Sequence, residues 1–354
     1  MKKNVMVVDD SALMRRVICD IIATDSNFEV GATCKNGQEA LEKLRKEKYD
    51  GVLLDVNMPV MDGLQLLEEL QKEHIQTTII MVSTLTTKDA DVTIRAMELG
   101  ATDFVTKPEN ISEARGKDFA DNLLGIINAV ISSGNFKRAF STPKPVSMPK
   151  FTRADKPRVA TGSKLIALAS STGGPKSLQS VIPYLPENMD APMILVQHMP
   201  AGFTASMAAR LDELSKVHVK EAQDGDVLQK GWVYIAPGGR HMRVISTGGA
   251  HKIKLSDEPA IGGLRPCADV MYESLQSCGY GNVTCVVLTG MGADGTKGIT
   301  GLKASGQRIY TIAQDKESCV VYGMPKAIAE AGVADEVVSL EKVADSIIRN
   351  VGVK

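Results

Sequence analysis

Short apolar runs alternate with amphipathic stretches along the first third of the chain. Asn4–Val8, Val30–Cys34, Val52–Leu54, Thr78–Val82 and Asp103–Thr106 have the length and apolar content of buried strands. Between the first two, Leu13, Val17, Ile18, Ile21 and Ile22 recur three and four residues apart and predict a helix. Gln38–Glu47, Leu64–Glu73, Asp89–Leu99 and Asp118–Ile131 repeat that spacing. Five such β–α units predict a doubly wound parallel sheet of flavodoxin-like type over residues 1–131.

The pattern lapses over residues 132–162. Ser132-Ser133-Gly134 opens this stretch, and Pro143, Pro145, Pro149 and Pro157 follow among seven Lys and Arg residues, the composition of an interdomain linker. From residue 163 to 354 strand-like runs and helical spacing resume. Glycine pairs at 238–239, 248–249 and 262–263 mark turns, and His251–Leu255 alternates with period two like a solvated edge strand. A second α/β domain is expected, with a mostly parallel sheet and an antiparallel hairpin.

Composition narrows the function classes. The 354 residues are 44% apolar and 23% charged with a formal net charge of −1, so no global field favours nucleic acid or anionic lipid. The basic start Met1-Lys2-Lys3 leads into an apolar run that is short for a signal peptide and ends in Asp9-Asp10, and no run is long enough to span a membrane. A soluble, cytoplasmic protein without membrane insertion is expected. The six cysteines form no C-x-x-C pair, which points to reduced thiols rather than a disulfide framework or a zinc site.

In a parallel α/β sheet the carboxyl ends of the strands share one rim. On the first rim stand Asp9 and Asp10 after the first strand, Asp55 after the third, Ser83 after the fourth and Lys107 after the fifth. Clustered carboxylates repel one another unless a cation intervenes, and oxygen donors of this kind suit Mg²⁺. Asp55 is then a nucleophile able to take a phosphoryl group as an acyl phosphate, with Lys107 as its counter-charge. The segments Val7-Val8-Asp9-Asp10-Ser11, Leu53-Leu54-Asp55-Val56-Asn57-Met58-Pro59, Met61-Asp62-Gly63, Met81-Val82-Ser83 and Lys107-Pro108 resemble the response-regulator receiver family. That resemblance implies Asp55 as phospho-acceptor, Asp9, Asp10, Asp55 and the Asn57 carbonyl as Mg²⁺ ligands, and Ser83 and Lys107 as phosphoryl sensors. Phe104 falls where that family has an aromatic switch, and it reads equally well as a core residue.

Three apolar runs of the second domain end in the residues of a hydrolytic triad. Leu165–Ala169 leads to Ser170-Ser171-Thr172-Gly173-Gly174, Met193–Val196 to Gln197-His198, and Val286–Leu288 to Thr289-Gly290-Met291-Gly292-Ala293-Asp294. A serine hydroxyl needs a base within reach, and the base needs an orienting acid. Ser171, His198 and Asp294 fit those roles, with Ser170 the rival nucleophile and His241 the rival base; His218 is the remaining histidine that can lie near a rim. Glycines at 290, 292 and 295, and a helix start after Ser171, offer backbone N–H groups to an oxyanion. A phosphate could bind the same helix start, yet neither nucleotide fingerprint is present. A non-enzymatic output module on the same scaffold is the competing reading, and Ser171→Ala separates the two.

The order Ser, His, Asp and the absence of G-x-S-x-G exclude an ordinary α/β-hydrolase. Instead, Ser171–Gly174, Gln197–Pro200, Gly202–Thr204, Ala236–Met242, Arg265-Pro266, Leu288–Gly295 and Tyr322–Pro325 resemble the chemotaxis methylesterase (CheB) family. One departure is Ala169-Ser170, where that family usually has Gly-Ala. The resemblance implies hydrolysis of glutamate methyl esters, and deamidation of glutamines, on methyl-accepting chemotaxis receptors. It also implies a chemotaxis histidine kinase as phosphodonor, the Met291 N–H as oxyanion donor with a second donor near Thr172, and no cofactor for the hydrolysis itself.

Overall fold

Residues that are apolar at every position, rather than at alternate ones, build strands buried on both faces. In the computed structural model, which describes residues 2–108, 110–132 and 162–353, such strands form the centre of two separate units, residues 1–140 and 141–354. Most of the predicted linker, residues 133–161, lies outside the described residues.

The first unit alternates β1 (Lys3–Val8), α1 (Ala12–Ala23), β2 (Phe28–Cys34), α2 (Gly37–Leu44), β3 (Gly51–Asp55), α3 (Gly63–Lys72), β4 (Ile79–Ser83), α4 (Thr87–Glu98) and β5 (Asp103–Thr106). The short α5 (Ile111–Ala114) and the longer α6 (Lys117–Ser132) complete it. The sheet is parallel in the order β2-β1-β3-β4-β5, so the chain reverses its winding between β1 and β3. Ser11, Asn36, Asp62 and Thr86 each accept a backbone N–H at the start of a helix, and Asp62 with Gln65 closes a capping box. Each cap stabilises its helix by about 1 kcal/mol. Helix α1 buries Val17, Ile18, Ile21 and Ile22 as their spacing predicts, while Leu13 stays 41% exposed beside the rim.

The second unit runs β6 (Lys164–Ser170), α7 (Gly174–Gln179), β7 (Met193–Gln197), α8 (Phe203–Leu214), β8 (His218–Glu221) and β9 (Trp232–Ile235). The hairpin β10 (His241–Thr247) and β11 (Ala250–Ser256) follows, then α9 (Ala268–Ser274), β12 (Asn282–Val287), α10 (Thr296–Ala304) and β13 (Ile309–Gln314). Helix α11 (Met324–Glu330), β14 (Glu336–Val338) and α12 (Leu340–Val351) end it. The main sheet is parallel throughout, in the order β14-β13-β12-β6-β7-β9-β8, and the hairpin is a separate two-stranded sheet. Met242, Val244, Ile253 and Leu255 of the hairpin pack into one core with Leu165, Ala167 and Ala169 of β6 and with Tyr272. The Tyr272 hydroxyl is satisfied there by the carbonyls of Ala167 and Val286.

The first strand of this unit, β6, sits between β12 and β7, with later strands added outward on both sides. That makes β6 the topological switch point, where a crevice opens at the carboxyl ends. No helix among the described residues is long and apolar enough to cross a membrane.

Candidate functional site

The register of the second sheet delivers the predicted residues to one place. Ser170 pairs with Gln197 and Ala169 with both Val196 and Val287, so Ser171, His198 and Leu288-Thr289 leave the sheet side by side. Neighbouring strands are about 4.8 Å apart. The Ser171 N–H donates to the Thr289 carbonyl at 3.0 Å and the His198 N–H to the Ser170 carbonyl at 3.2 Å. His198 Nε2 lies 2.8 Å from Asp294 Oδ2, with both side chains largely shielded from solvent. Ser171 leaves the strand next to His198's, and its hydroxyl makes no hydrogen bond to the imidazole among the described residues.

Asp294 is held by more than the histidine. Ala268 N donates to Oδ2 at 2.6 Å, Asp269 N and Gly295 N each donate to Oδ1 at 2.9 Å, and Cys267 Sγ lies 3.1 Å from Oδ1. Burial opposes its ionisation, but His198 and the backbone donors outweigh that and hold the carboxyl at about 2. Burial, aided by the Asp294 charge, pushes the Cys267 thiol up to about 12, so it stays a protonated donor. An ionised carboxylate only accepts, so Nε2 carries the proton that it binds and Nδ1 keeps the free lone pair.

The rival residues are occupied elsewhere. The fully buried Ser170 hydroxyl donates to Gln197 Oε1 at 2.7 Å. His241 is fully buried with Nε2 3.1 Å from the Pro259 carbonyl. His218 is exposed at the amino end of β8 and packs 4.7 Å from the Trp232 ring. His251 does not lie in a solvated edge strand: it is half-buried, stacked 3.8 Å from Tyr280, with Nε2 2.7 Å from the Cys278 carbonyl. The hairpin covers the core, and this turns His251 inward.

Met291 is 51% exposed on a loop turned by Gly290 and Gly292, the latter at φ +79°. Neither its N–H nor that of the buried Thr172 donates to another group among the described residues. Gly290 is required for contact, because a Cβ there would lie 2.8 Å from Ser171 Cβ and 2.4 Å from Met324 Sδ. Thr289, to which sequence reasoning assigned no role, joins three loops. Its hydroxyl donates to the Thr172 carbonyl (3.0 Å) and accepts from the Val321 N–H (2.9 Å). A buried threonine where an apolar strand stops was the only available signal.

On the first unit's rim, oxygens of Asp9, Asp10 and Asp55 lie within 4.8 Å of one another. Lys107 Nζ is 2.7 Å from Asp9 Oδ2 and 2.8 Å from Asp55 Oδ1. Burial pushes Asp55 up to about 6; Lys107 opposes this, and the Asp9 charge adds to it. Burial works against the Lys107 ammonium, but Asp55 and Asp9 outweigh it and raise its pKa. Three hard oxygen donors at this spacing, two of them buried, fit Mg²⁺. Val56 N and Lys107 both bond Asp55 Oδ1, leaving Oδ2 without a hydrogen bond among the described residues.

The Ser83 hydroxyl is fully buried and accepts from Thr93 Oγ1 at 2.8 Å, so α4 holds it in this form. Asn57 is exposed, and its amide donates to Asp89 Oδ1 at 2.6 Å, while Thr84 Oγ1 donates to Asp89 Oδ2. Asp89 was not singled out in the sequence because it sits inside a helical pattern. Phe104 is buried on β5.

The CheB methylesterase family model matches residues 166–347, and the response regulator receiver domain model matches residues 5–117. A Geobacillus kaustophilus protein named protein-glutamate methylesterase/protein-glutamine glutaminase is 44% identical over 353 residues, covering 99% of each chain. A Bacillus subtilis protein of the same name is 41% identical over 348 residues, covering 97% of each. Among solved structures, the Thermotoga maritima CheB methylesterase catalytic domain is 44% identical and covers 52% of this chain and 97% of its own, at a TM-score of 0.51. The chain therefore belongs to the CheB methylesterase family, as an enzyme whose methylesterase domain follows a response-regulator receiver domain.

Proposed function

We propose that the second unit demethylates glutamate γ-methyl esters, and deamidates glutamines, on methyl-accepting chemotaxis receptors by serine catalysis in sensory adaptation. The observation that carries this reading is the part-buried His198–Asp294 bond at 2.8 Å, with His198 leaving the strand next to that of Ser171. Ser171 Oγ attacks the ester carbonyl while its proton passes to His198 Nδ1. Asp294 holds the Nε2–H and stabilises the imidazolium. The N–H groups of Met291 and Thr172 stabilise the oxyanion. As the tetrahedral intermediate collapses, the imidazolium gives its proton to the leaving methoxide oxygen, or to the amide nitrogen, which departs as methanol or ammonia. Water, deprotonated by His198, frees the glutamate from the acyl-enzyme.

The first unit is the proposed switch. Asp55 takes a phosphoryl group from a histidine-kinase donor of the same pathway, and Lys107 pairs with it. Asp9, Asp10, Asp55 and the Asn57 carbonyl would hold Mg²⁺, whose charge neutralises the phosphoryl oxygens. Ser83 would leave Thr93 to bond the phosphoryl group. The unphosphorylated receiver restrains the esterase, and phosphorylation relieves that restraint because it favours a different docking state. A cytoplasmic location follows from this proposal.

Methanol release from methylated receptors, with and without a small phosphodonor and Mg²⁺, tests the reading. Release is expected to rise with phosphodonor, to lose that rise in Asp55→Asn, and to fall by orders of magnitude in Ser171→Ala. Residues 161–354 alone are expected to exceed the unphosphorylated chain. Equal rates would sink the restraint model, and an active Ser171→Ala would sink the serine mechanism.

A further inference from the structure

Gln197 is a buried amide, 1% exposed, at the end of the apolar strand β7. Its Nε2 donates to the carbonyl of Ser171 at 3.0 Å and to that of His198 at 3.2 Å. Its Oε1 accepts from the Ser170 hydroxyl at 2.7 Å. Two carbonyls can be satisfied only by the NH₂ group, so the amide has one allowed way round and the Ser170 hydroxyl must be the donor to its oxygen. The main-chain ladder between β6 and β7 ends with the His198 N–H on the Ser170 carbonyl. The glutamine adds one more rung past that end, between the nucleophile's peptide unit and the base's.

The surroundings are cut to fit this amide. A Cβ on Gly174 would lie 1.9 Å from Gln197 Oε1 and 3.0 Å from Ser170 Cβ. The second glycine after the nucleophile therefore makes room for Gln197. Ser170 supplies the donor that locks the amide.

We propose that Gln197 is a positioning residue of the esterase that fixes the separation of Ser171 and His198, with Ser170 acting through it. This rests on the reading of Ser171 as nucleophile. A misplacement of about 1 Å between reacting groups can cost about a hundredfold in rate.

The test uses the full-length chain and two probes: a peptide carrying a glutamate γ-methyl ester, and a fluorophosphonate that labels the active serine. Gln197→Leu is expected to lower kcat and the labelling rate by about 10- to 100-fold, with KM within about twofold. Ser170→Ala is expected to lower kcat by about threefold in the native background and not at all in the Gln197→Leu background, because it acts through the amide. Denaturation followed by Trp232 fluorescence identifies variants that retain the fold. A folded Gln197→Leu with native kcat, or a Ser170→Ala effect that persists in the Gln197→Leu background, overturns the proposal. Should Gln197→Leu not fold, Ser170→Ala with native kcat overturns it alone. Ser171→Ala separates the two levels. If it stays active and unlabelled sites account for turnover, the serine reading has failed; if it is inactive while Gln197→Leu is native, only the positioning role has.

Discussion

Replacing Asp294 with asparagine should cost both stability and catalysis, and the stability cost should shrink in acid. Every donor around this carboxylate is fixed in place: His198 Nε2 and Ala268 N on Oδ2, and Cys267 Sγ, Asp269 N and Gly295 N on Oδ1. An asparagine NH₂ in either position points a donor at backbone donors. Holding the carboxyl at about 2 instead of 3.8 stabilises the folded unit by about 2 kcal/mol at neutral pH, undiscounted for screening because the group is buried. The folded pKa is the depressed one, so this contribution is complete above about pH 5 and is lost as pH falls toward 2. At pH 3 roughly half of it remains.

Urea denaturation at pH 7 and pH 3 measures the effect. Trp232 is the only tryptophan of the chain and lies in β9, so its fluorescence follows the second unit alone. Midpoints rather than amplitudes should be compared, because His218 packs 4.7 Å from that ring. Asp294→Asn is expected to lose about 2–4 kcal/mol at pH 7, and the gap should narrow by about 1 kcal/mol at pH 3. Ester hydrolysis should fall by about 10⁴, because the amide lets the imidazole take the wrong tautomer. A gap of equal size at both pH values would refute the assignment of a strongly ionised, donor-saturated carboxylate.

Val60 is 82% exposed and adopts φ +70°, a left-handed conformation that a β-branched residue resists. Val60→Gly should raise the stability of the first unit by about 1 kcal/mol, seen as a higher calorimetric midpoint; an unchanged or lower midpoint would show that the backbone there is unstrained. Thr289→Val keeps the shape but strands the Thr172 carbonyl and the Val321 N–H. It should cost about 2–3 kcal/mol by the Trp232 signal, and Thr289→Ser should recover most of that. Lys107→Met leaves the buried Asp9 and Asp55 without their cation. The first unit should lose about 3 kcal/mol by calorimetry and methanol release should no longer answer to phosphodonor; a full response would remove Lys107 from the switch.

The central strands were legible because burial on both faces leaves an unbroken apolar run. Val52–Leu54 and Met193–Val196 could be nothing else at that length. The ends were less so: β3 continues to Asp55, whose backbone still pairs with Val82 although its side chain is an acid. Helix α5 spans four residues, too few to show a period. The alternation at His251–Leu255 signalled a strand correctly but not its cover, because a pattern along one strand does not reveal that Tyr280 stacks on it. In the site, polar residues that stop apolar runs stood out, namely Asp55, Ser171 and His198. The donors that Asp294 depends on did not. Backbone N–H groups of Ala268 and Asp269 leave no trace in residue type, and they come from a helix that the chain reaches 26 and 25 residues before the acid they bind.

Strand order also explains why the imidazole uses its nitrogens as it does. In the trypsin-like arrangement Nδ1 faces the acid and Nε2 takes the proton from the serine. Here the order across the sheet is β12-β6-β7, which puts the serine's strand in the middle, the histidine's on one side and the strand leading to Asp294 on the other. Ser171 is one strand from His198, about 4.8 Å between backbones, whereas the aspartate arrives from two strands away. The nitrogen nearest the histidine's own backbone, Nδ1, suits the near partner. Only the far nitrogen, Nε2, can span to Asp294, and it does so at 2.8 Å. On the proposed serine mechanism, this reversal follows from winding the sheet outward from β6. It requires that the spacing of β6 and β7 at their carboxyl ends be held closely, because Nδ1 has no flexible reach of its own. The Gln197 amide across the Ser171 and His198 carbonyls is the group placed to hold it.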